Sequence, residues 1–140
     1  MTMTVHVDIV SAEKEIFSGL AEMVFAPAEL GEVGISPRHA PLISRLKPGE
    51  VRVKGTDKEI FSFYVSGGML EIQPHLITIL ADTAIRAKDI DEAAAIEAKA
   101  RAEEALADKS GKIDYATAQA QLQEAIMQLR TLDRLRKRGG

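Results

Sequence analysis

Two different patterns of apolar and polar residues divide the chain near Ala87. Before this position, apolar residues alternate with polar ones over short runs, and glycine and proline stand between the runs. From Asp89 to Arg138 there is no proline, and the only glycine is Gly111. Alternation is typical of half-buried strands, whereas a long stretch of helix formers favours helices. The sequence therefore predicts a β unit over 1–86 and a helical unit over 87–140.

The first unit is predicted to contain many short strands. Its first apolar run, Val5 to Ile9, alternates with polar residues and should have one buried and one solvated face. A turn is predicted at 17–19, then a strand from Ala21 to Ala26 that Pro27 would end. A hairpin is predicted within 30–35. Five further strands are predicted at 42–46, 51–53, 60–65, 69–72 and 76–80, and the whole indicates a β-sandwich or flattened barrel.

The second unit is predicted to form an antiparallel hairpin of two helices joined by the loop 108–112. Asp89 and Glu92 have the spacing of a capping box, which would start the first helix there. Asp114 is the predicted cap of the second helix, which would extend about 35 Å to Arg136. The apolar positions of the first helix are mainly alanine. Because a buried methyl-sized group contributes only ~0.8 kcal/mol, we expect a weakly held hairpin that can change its arrangement.

Composition excludes several classes of function. The 140 residues include no cysteine, so disulfides, thiolate zinc sites and thiol nucleophiles are ruled out. A net charge of −3 argues against a general nucleic-acid binder. No apolar run approaches the ~20 residues of a membrane span. No phosphate-binding, zinc-protease or serine-hydrolase motif is present, so we expect a protein with no catalytic residues, no metal and no cofactor.

Two surface features are candidates for binding a partner. The loop 36–41, bracketed by Pro37 and Pro41, should hold His39 at a fixed point on the surface. A histidine that only caps backbone groups explains this loop about equally well. The second feature is a basic cluster at the C-terminal end, formed by Arg130, Arg134, Arg136, Lys137 and Arg138. Cations are common at helix C-termini because they favour the helix dipole, but five exceed what that effect needs.

Six segments of the chain form a recognisable series: Phe17-Ser18-Gly19, Gly34 to Leu42, Ser66 to Pro74, Leu80 to Ala84, Asp89-Ile90-Asp91 and Gln128-Leu129-Arg130. In their order and spacing they resemble the epsilon subunit of bacterial F-type ATP synthase. The resemblance covers essentially the whole chain. It implies a flattened β-sandwich followed by an antiparallel helical hairpin.

The resemblance also implies a function and a set of partners. A subunit of this family has no active site; it joins the gamma subunit to the membrane ring of c subunits and turns with the rotor. Proton flow drives that rotor, and the alpha and beta subunits make ATP. The helical arm either folds on the sandwich or extends into the catalytic head, where it inhibits hydrolysis. The location implied is peripheral, on the cytoplasmic face of the cell membrane.

Site residues follow from the same resemblance. Glu32 and His39 fall where the sandwich faces the membrane ring and gamma; a serious alternative for Glu32 is an ordinary solvated carboxylate in a turn. The basic cluster would meet acidic groups on a beta subunit. Members that bind ATP have an arginine where this chain has Ala94, which leaves Asp91 and Arg101 as weak nucleotide contacts. We therefore expect ATP binding to be weak or absent.

Two alternative classes of protein fit parts of the sequence. A free-standing β-sandwich module for a small ligand or sugar would explain the first unit. Sugar sites usually present exposed aromatic side chains, however, and the chain is 4% aromatic with no tryptophan. A nucleic-acid binder would use the basic cluster, but the remainder of the chain is acidic.

Overall fold

A computed structural model of the chain describes residues 3–108, 110–111 and 114–138. The chain divides into two compact units, Met1–Arg86 and Ala87–Gly140. Within the described residues, the first unit contains nine strands: β1 (Val5–Ser11), β2 (Glu15–Ala28), β3 (Gly31–Ile35), β4 (Leu42–Leu46), β5 (Gly49–Gly55), β6 (Ile60–Val65), β7 (Gly68–Ile72), β8 (Leu76–Ala81) and β9 (Ala84–Arg86). The second contains a short 3-10 turn (Ala87–Asp89) and two helices, α1 (Glu92–Ala107) and α2 (Tyr115–Lys137).

The strands form a sheet that closes on itself through β2. The order is β1-β8-β7-β4-β2-β5-β6-β9, with β1 also paired to β2 and β3 attached to β2. Apart from the parallel pair β1–β8, neighbouring strands are antiparallel. The result is the flattened β-sandwich predicted from the sequence, followed by the predicted two-helix hairpin.

Alternate residues of the strands fill the sandwich core. Val7, Ile9 and Val24 have no exposed surface, and Phe63 and Ile79 are equally buried. Each such side chain contributes about 1.5–3 kcal/mol relative to an exposed position. The core cluster lies wholly within the first unit, so the sandwich has a hydrophobic core of its own.

Three predictions about local structure in the sandwich were wrong. The turn predicted at 17–19 is part of β2, where Phe17, Ser18 and Gly19 pair with β1, and the preceding turn is closed by Ser11 N–H donating to the Lys14 carbonyl at 2.9 Å. Pro27 does not end the strand: it pairs with Glu32 of β3, and its carbonyl accepts from Lys47 N–H at 2.8 Å. The hairpin expected within 30–35 is one strand, β3, and β9 was not predicted.

The helix caps confirm one prediction and correct another. Asp114 caps α2, accepting from the backbone N–H of Ala116 and Thr117. The cap of α1 is Asp91, which accepts from Ala94 N–H at 3.1 Å, whereas Asp89 lies in the 3-10 turn. Tyr115 O–H donates to the Asp108 carbonyl and so joins the end of α1 to the start of α2. Lys109 and Lys112 of the predicted loop lie outside the described residues.

Small side chains line the contact between the two helices. The buried residues of α1 are Ala95 and Ala102, which are seven positions apart and lie on one face of the helix. On α2 the buried residues include Ala118 and Ala125 at the same spacing, followed by Leu132. This seven-residue spacing keeps each set on one side of its helix. The hairpin therefore rests mainly on alanine contacts, as the composition of α1 predicts.

Gly68 is a position where a side chain cannot be accommodated. Its φ is +136°, and a Cβ built on it would lie 2.0 Å from the Leu80 carbonyl oxygen. We expect Gly68→Ala to lower the free energy of unfolding by about 3 kcal/mol or more, through backbone strain and the clash with β8. Gly31→Ala is the matched control, since Gly31 has the same φ but nothing within 4 Å of its Cβ position. Equal losses for the two variants in thermal or denaturant unfolding would contradict this explanation.

Candidate docking surface

An apolar groove of about 490 Å³ lies between β3 and β4. Its apolar lining comes from the turn before β3, from β3 and β4, and from the facing strand β7. These residues are Leu30, Val33, Leu42, Ile43 and Met69. Leu30 is fully exposed and Ile43 is 68% exposed, which is unusual for large aliphatic side chains that sit together. The groove is therefore the first candidate for a contact with another protein.

The strand pairing explains why this groove is open. Ala28 at the end of β2 pairs with Gly31 of β3 and with Leu46 of β4. The other edge of β4 is paired with β7. Among the described residues, β3 pairs only with β2. β3 and β4 thus lie along opposite edges of β2, and apolar side chains from both strands and from the turn at Leu30 line the groove.

Sequence reasoning missed the apolar residues of this groove. Ile43 lies opposite Glu71 and points away from the core, whereas Ser44 lies opposite the buried Leu70. The signal was present in the sequence, because the strand 42–46 places isoleucine where the alternation calls for a polar residue. Leu30, in a turn between glutamate and glycine, is a second residue of this kind.

Glu32 lies on the rim of the groove and forms an ion pair. It lines the groove through β3, and its Oε1 accepts from Arg52 Nη2 at 2.8 Å. The guanidinium of Arg52 also lies over the ring of Phe25, 4.4 Å from the centroid. Glu32 is therefore an exposed carboxylate with a fixed intramolecular partner on β5, which the sequence did not indicate.

His39 lies on the predicted rigid loop, three residues before the groove-lining Leu42. Arg38 adopts a left-handed conformation (φ 62°), and its N–H donates to the Pro74 carbonyl at 2.9 Å. The Nδ1 of His39 lies 2.7 Å from the Ala40 carbonyl oxygen. A backbone contact of this kind is what a loop-capping histidine would make. His39 does not line the groove, so the groove does not bring it together with Glu32.

A Ser-His-Asp cluster on β1 and β2 does not have the geometry of a catalytic triad. Asp8 Oδ1 lies 2.9 Å from His6 Nε2, and Ser18 Oγ lies 3.0 Å from the same nitrogen. Ser18 Oγ also donates directly to Asp8 at 2.7 Å. In a triad the acid and the nucleophile occupy opposite ring nitrogens, so that the imidazole can move a proton between them. The cluster is best explained as a hydrogen-bonded patch on a solvated sheet face.

The basic cluster of α2 is partly engaged within the hairpin. Arg136 donates from both terminal nitrogens to the carboxylate of Glu92, at the start of α1. Hydrogen bonding to Arg136 lowers the pKa of Glu92 from its ordinary value. Lys137 forms an ion pair with Asp133 at 3.1 Å, and Arg134 and Arg138 also have contacts. Arg130 is exposed on the same helix.

The residues proposed to contact a nucleotide lie far apart along α1. The Asp91 side chain is occupied as the cap of α1. Arg101 is exposed ten residues further along the same helix, which separates the two by about 15 Å along its axis. Ala94, between them, offers only its backbone N–H to Asp91.

Comparison with known families covers both units of the chain. Residues 4–87 match the family model "ATP synthase, Delta/Epsilon chain, beta-sandwich domain". Residues 88–133 match "ATP synthase, Delta/Epsilon chain, long alpha-helix domain". The chain belongs to the delta/epsilon family of ATP synthase subunits.

Relatives in this family match the chain over its full length. The ATP synthase epsilon chain of Nitrosococcus oceani is 67% identical over 140 residues and is covered completely, as is this chain. The ATP synthase epsilon chain 1 of Methylococcus capsulatus is 71% identical over 137 residues, with 98% of each chain covered. The resemblance proposed from the sequence is therefore confirmed, and so is the expectation of a non-catalytic stalk subunit. A free-standing ligand-binding module is not supported.

Solved structures support the same fold. A chain in the Euglena gracilis mitochondrial ATP synthase (OSCP/F1/c-ring, rotational state 1) gives a TM-score of 0.83 at 15% identity, covering 92% of this chain and 81% of that one. A chain in the Tetrahymena thermophila central stalk/c-ring structure gives 0.58 at 14% identity, covering 94% and 98%. Neither helix described here has the length and apolar character needed to cross a membrane.

Acidification should loosen the hairpin, and Glu92 should account for part of the effect. Because its pKa in the folded hairpin lies below the ordinary 4.5, the stabilisation is present above that value and is lost as the pH falls through the lowered pKa. The Asp114 cap acts in the same direction, because bonds from Thr117 lower its pKa. We expect amide-exchange protection of α1 and α2 to fall between pH 6 and pH 3, and less steeply in Glu92→Gln. Glu103→Gln, which changes another exposed carboxylate of α1, should keep the full pH dependence; an identical profile for both variants would exclude a role for Glu92.

Proposed function

We propose that the chain docks through the β3–β4 groove onto the gamma subunit and the membrane ring of an F-type ATP synthase. The observation that carries this proposal is the open apolar groove with Leu30 and Ile43 exposed beside Glu32. An apolar centre with a polar rim is the usual anatomy of a protein interface. As part of the rotor, the chain would transmit the turning of the proton-driven ring to the catalytic head without any chemistry of its own.

The surface chemistry favours a protein partner over a small ligand. The groove is open along the strand edges, and its polar rim carries charges of both signs, Glu29 and Glu32 on one side and Arg45 on the other. Small-ligand sites instead enclose most of the ligand surface. We place His39, on its rigid loop, at the edge of the same docking face. Bound in this way, the chain would lie peripherally on the cytoplasmic side of the cell membrane.

The helical arm is proposed to act as a brake on ATP hydrolysis. Its two helices meet mainly through alanine side chains, and its end carries the basic cluster 130–138. Weak packing allows the arm to leave its folded arrangement, and the cations would then meet acidic groups on a beta subunit of the head. Arg136 is released for that contact only when its bond to Glu92 breaks.

Nucleotide binding by the arm is proposed to be weak or absent. Asp91 and Arg101 are too far apart along α1 to hold one phosphate group together, and Ala94 provides no cationic side chain. Calorimetry on the full chain should therefore detect no micromolar affinity for ATP.

The docking proposal predicts that a charge in the groove disrupts gamma binding. Ile43→Asp should weaken binding of the full chain to purified gamma by about tenfold or more, since a central apolar contact is replaced by a buried carboxylate. Ile60→Asp is the matched control, because Ile60 is 50% exposed on β6 and does not line the groove. Binding of the wild type should persist between low and moderate salt, as expected for an apolar contact.

Two results would contradict this proposal. One is wild-type protein that fails to bind gamma at either salt concentration. The other is equal weakening by Ile43→Asp and Ile60→Asp, which would place the interface elsewhere on the sandwich. Circular dichroism of each variant would establish that the fold is retained.

The brake proposal predicts that removal of the arm relieves inhibition. A chain ending after Ala87 keeps the whole core cluster and should still fold and bind gamma. The complex reconstituted with this truncated chain should hydrolyse ATP faster than the complex with the intact chain. Equal hydrolysis rates, with the truncated chain shown to be bound, would mean that the arm is not the brake.

A further inference from the structure

We infer that Arg52 is a positioning residue that holds Glu32 in one orientation at the rim of the docking groove. The inference rests on the proposed docking function and deepens it. Arg52 lies on β5, twenty positions from Glu32 in sequence, and its side chain is 27% exposed. It does not line the groove, and its effect on docking is inferred to act through Glu32.

Three contacts fix the guanidinium of Arg52. Its Cζ lies over the Phe25 ring, 4.4 Å from the centroid. Its Nε lies 3.8 Å from the carboxyl oxygen of Glu50, whose side chain is only 1% exposed. Its Nη2 donates to Glu32 at 2.8 Å. The planar guanidinium suits such a site because stacking and hydrogen bonding use different parts of the group.

Each anchor of Arg52 is itself held by the strands. Phe25 on β2 pairs with Arg52 on one side and with Gly34 of β3 on the other. A Cβ at Gly34 would lie 3.2 Å from the Phe25 ring, so glycine leaves the ring its space. Glu50 accepts a hydrogen bond from Ser62 Oγ at 2.5 Å. Contacts with Phe25 and the buried Glu50 thus orient Arg52, and Arg52 in turn orients Glu32 on the surface.

The consequence falls on Glu32, whose side chain is 46% exposed. A glutamate at this exposure normally samples several rotamers, and ordering it on docking costs free energy. Here one carboxylate oxygen is held by Arg52 before any partner arrives. The other oxygen is presented to a donor on the partner, either a backbone N–H or a cationic side chain. The network therefore prepares one polar contact beside the apolar groove.

The positioning role is tested first in the free protein. Side-chain coupling constants of Glu32 measured by NMR on the full chain should indicate one dominant rotamer in the wild type and averaging in Arg52→Gln. Lys54→Gln is the matched control: it removes the same charge from the same strand, where Lys54 pairs with Glu22 at 3.9 Å. Glu32 that is equally ordered, or equally averaged, in the wild type and Arg52→Gln overturns the inference.

Binding to gamma provides the second test. Arg52→Gln and Glu32→Gln should each weaken binding by about two- to tenfold, and the double variant should be no weaker than the worse single variant, since both remove the same contact. Arg52→Lys should give an intermediate loss of affinity, because lysine keeps the positive charge but lacks the planar guanidinium. The positioning role is overturned if the losses of affinity of the two single variants multiply in the double variant. It is also overturned if Arg52→Gln binds gamma as tightly as the wild type while Ile43→Asp binds more weakly. Either result leaves the docking proposal intact. Failure of wild-type binding would instead defeat the docking proposal, and the NMR result would still decide the positioning of Glu32.

Discussion

The sandwich depends on one strand that must serve several partners at once. β2 is 14 residues long; its first half pairs with β1, its middle with β5, and its end with β3 and β4. Closure of the sheet, burial of the core and the position of the groove all follow from this sharing. Ala28 pairs with β3 along one edge of β2 and with β4 along the other. The groove that both strands line therefore lies at the end of the shared strand.

Most of the secondary structure could be predicted, because alternation and helix-forming composition are local signals. The bounds predicted for the strands 42–46 and 60–65 agree with the structure at both ends, and the predicted cap of α2, Asp114, is also correct. The predicted turn at 17–19 was wrong because serine and glycine have turn chemistry, yet here they pair with β1. Asp89 and Asp91 are equally suited to cap a helix, and only the fold selects between them. Pairing between strands overrode local turn preference at 17–19.

The candidate site was less accessible to sequence reasoning than the fold. Glu32 came from the family resemblance alone, whereas the basic cluster was already visible as five cations near the end of α2. Arg52 could not be found at all, because its relation to Glu32 depends on β2 lying between β3 and β5. Glu50 is a charged residue at a buried position, which strand alternation does not reveal. The positions of Glu32, Arg52 and Glu50 depend on contacts between strands that are distant in sequence, and a single sequence contains little information on such contacts.

The two units differ in how strongly their contacts hold them, and this difference bears on their roles. The sandwich buries large aliphatic and aromatic side chains, each contributing about 1.5–3 kcal/mol. The hairpin buries mainly alanine methyl groups at ~0.8 kcal/mol each, and the Glu92–Arg136 pair that closes its open end is exposed and therefore screened by salt. Contacts that are individually weak can break and reform without unfolding the rest of the protein. A rigid unit suited to docking and a loosely closed arm suited to a change of arrangement thus follow from the side chains each unit buries.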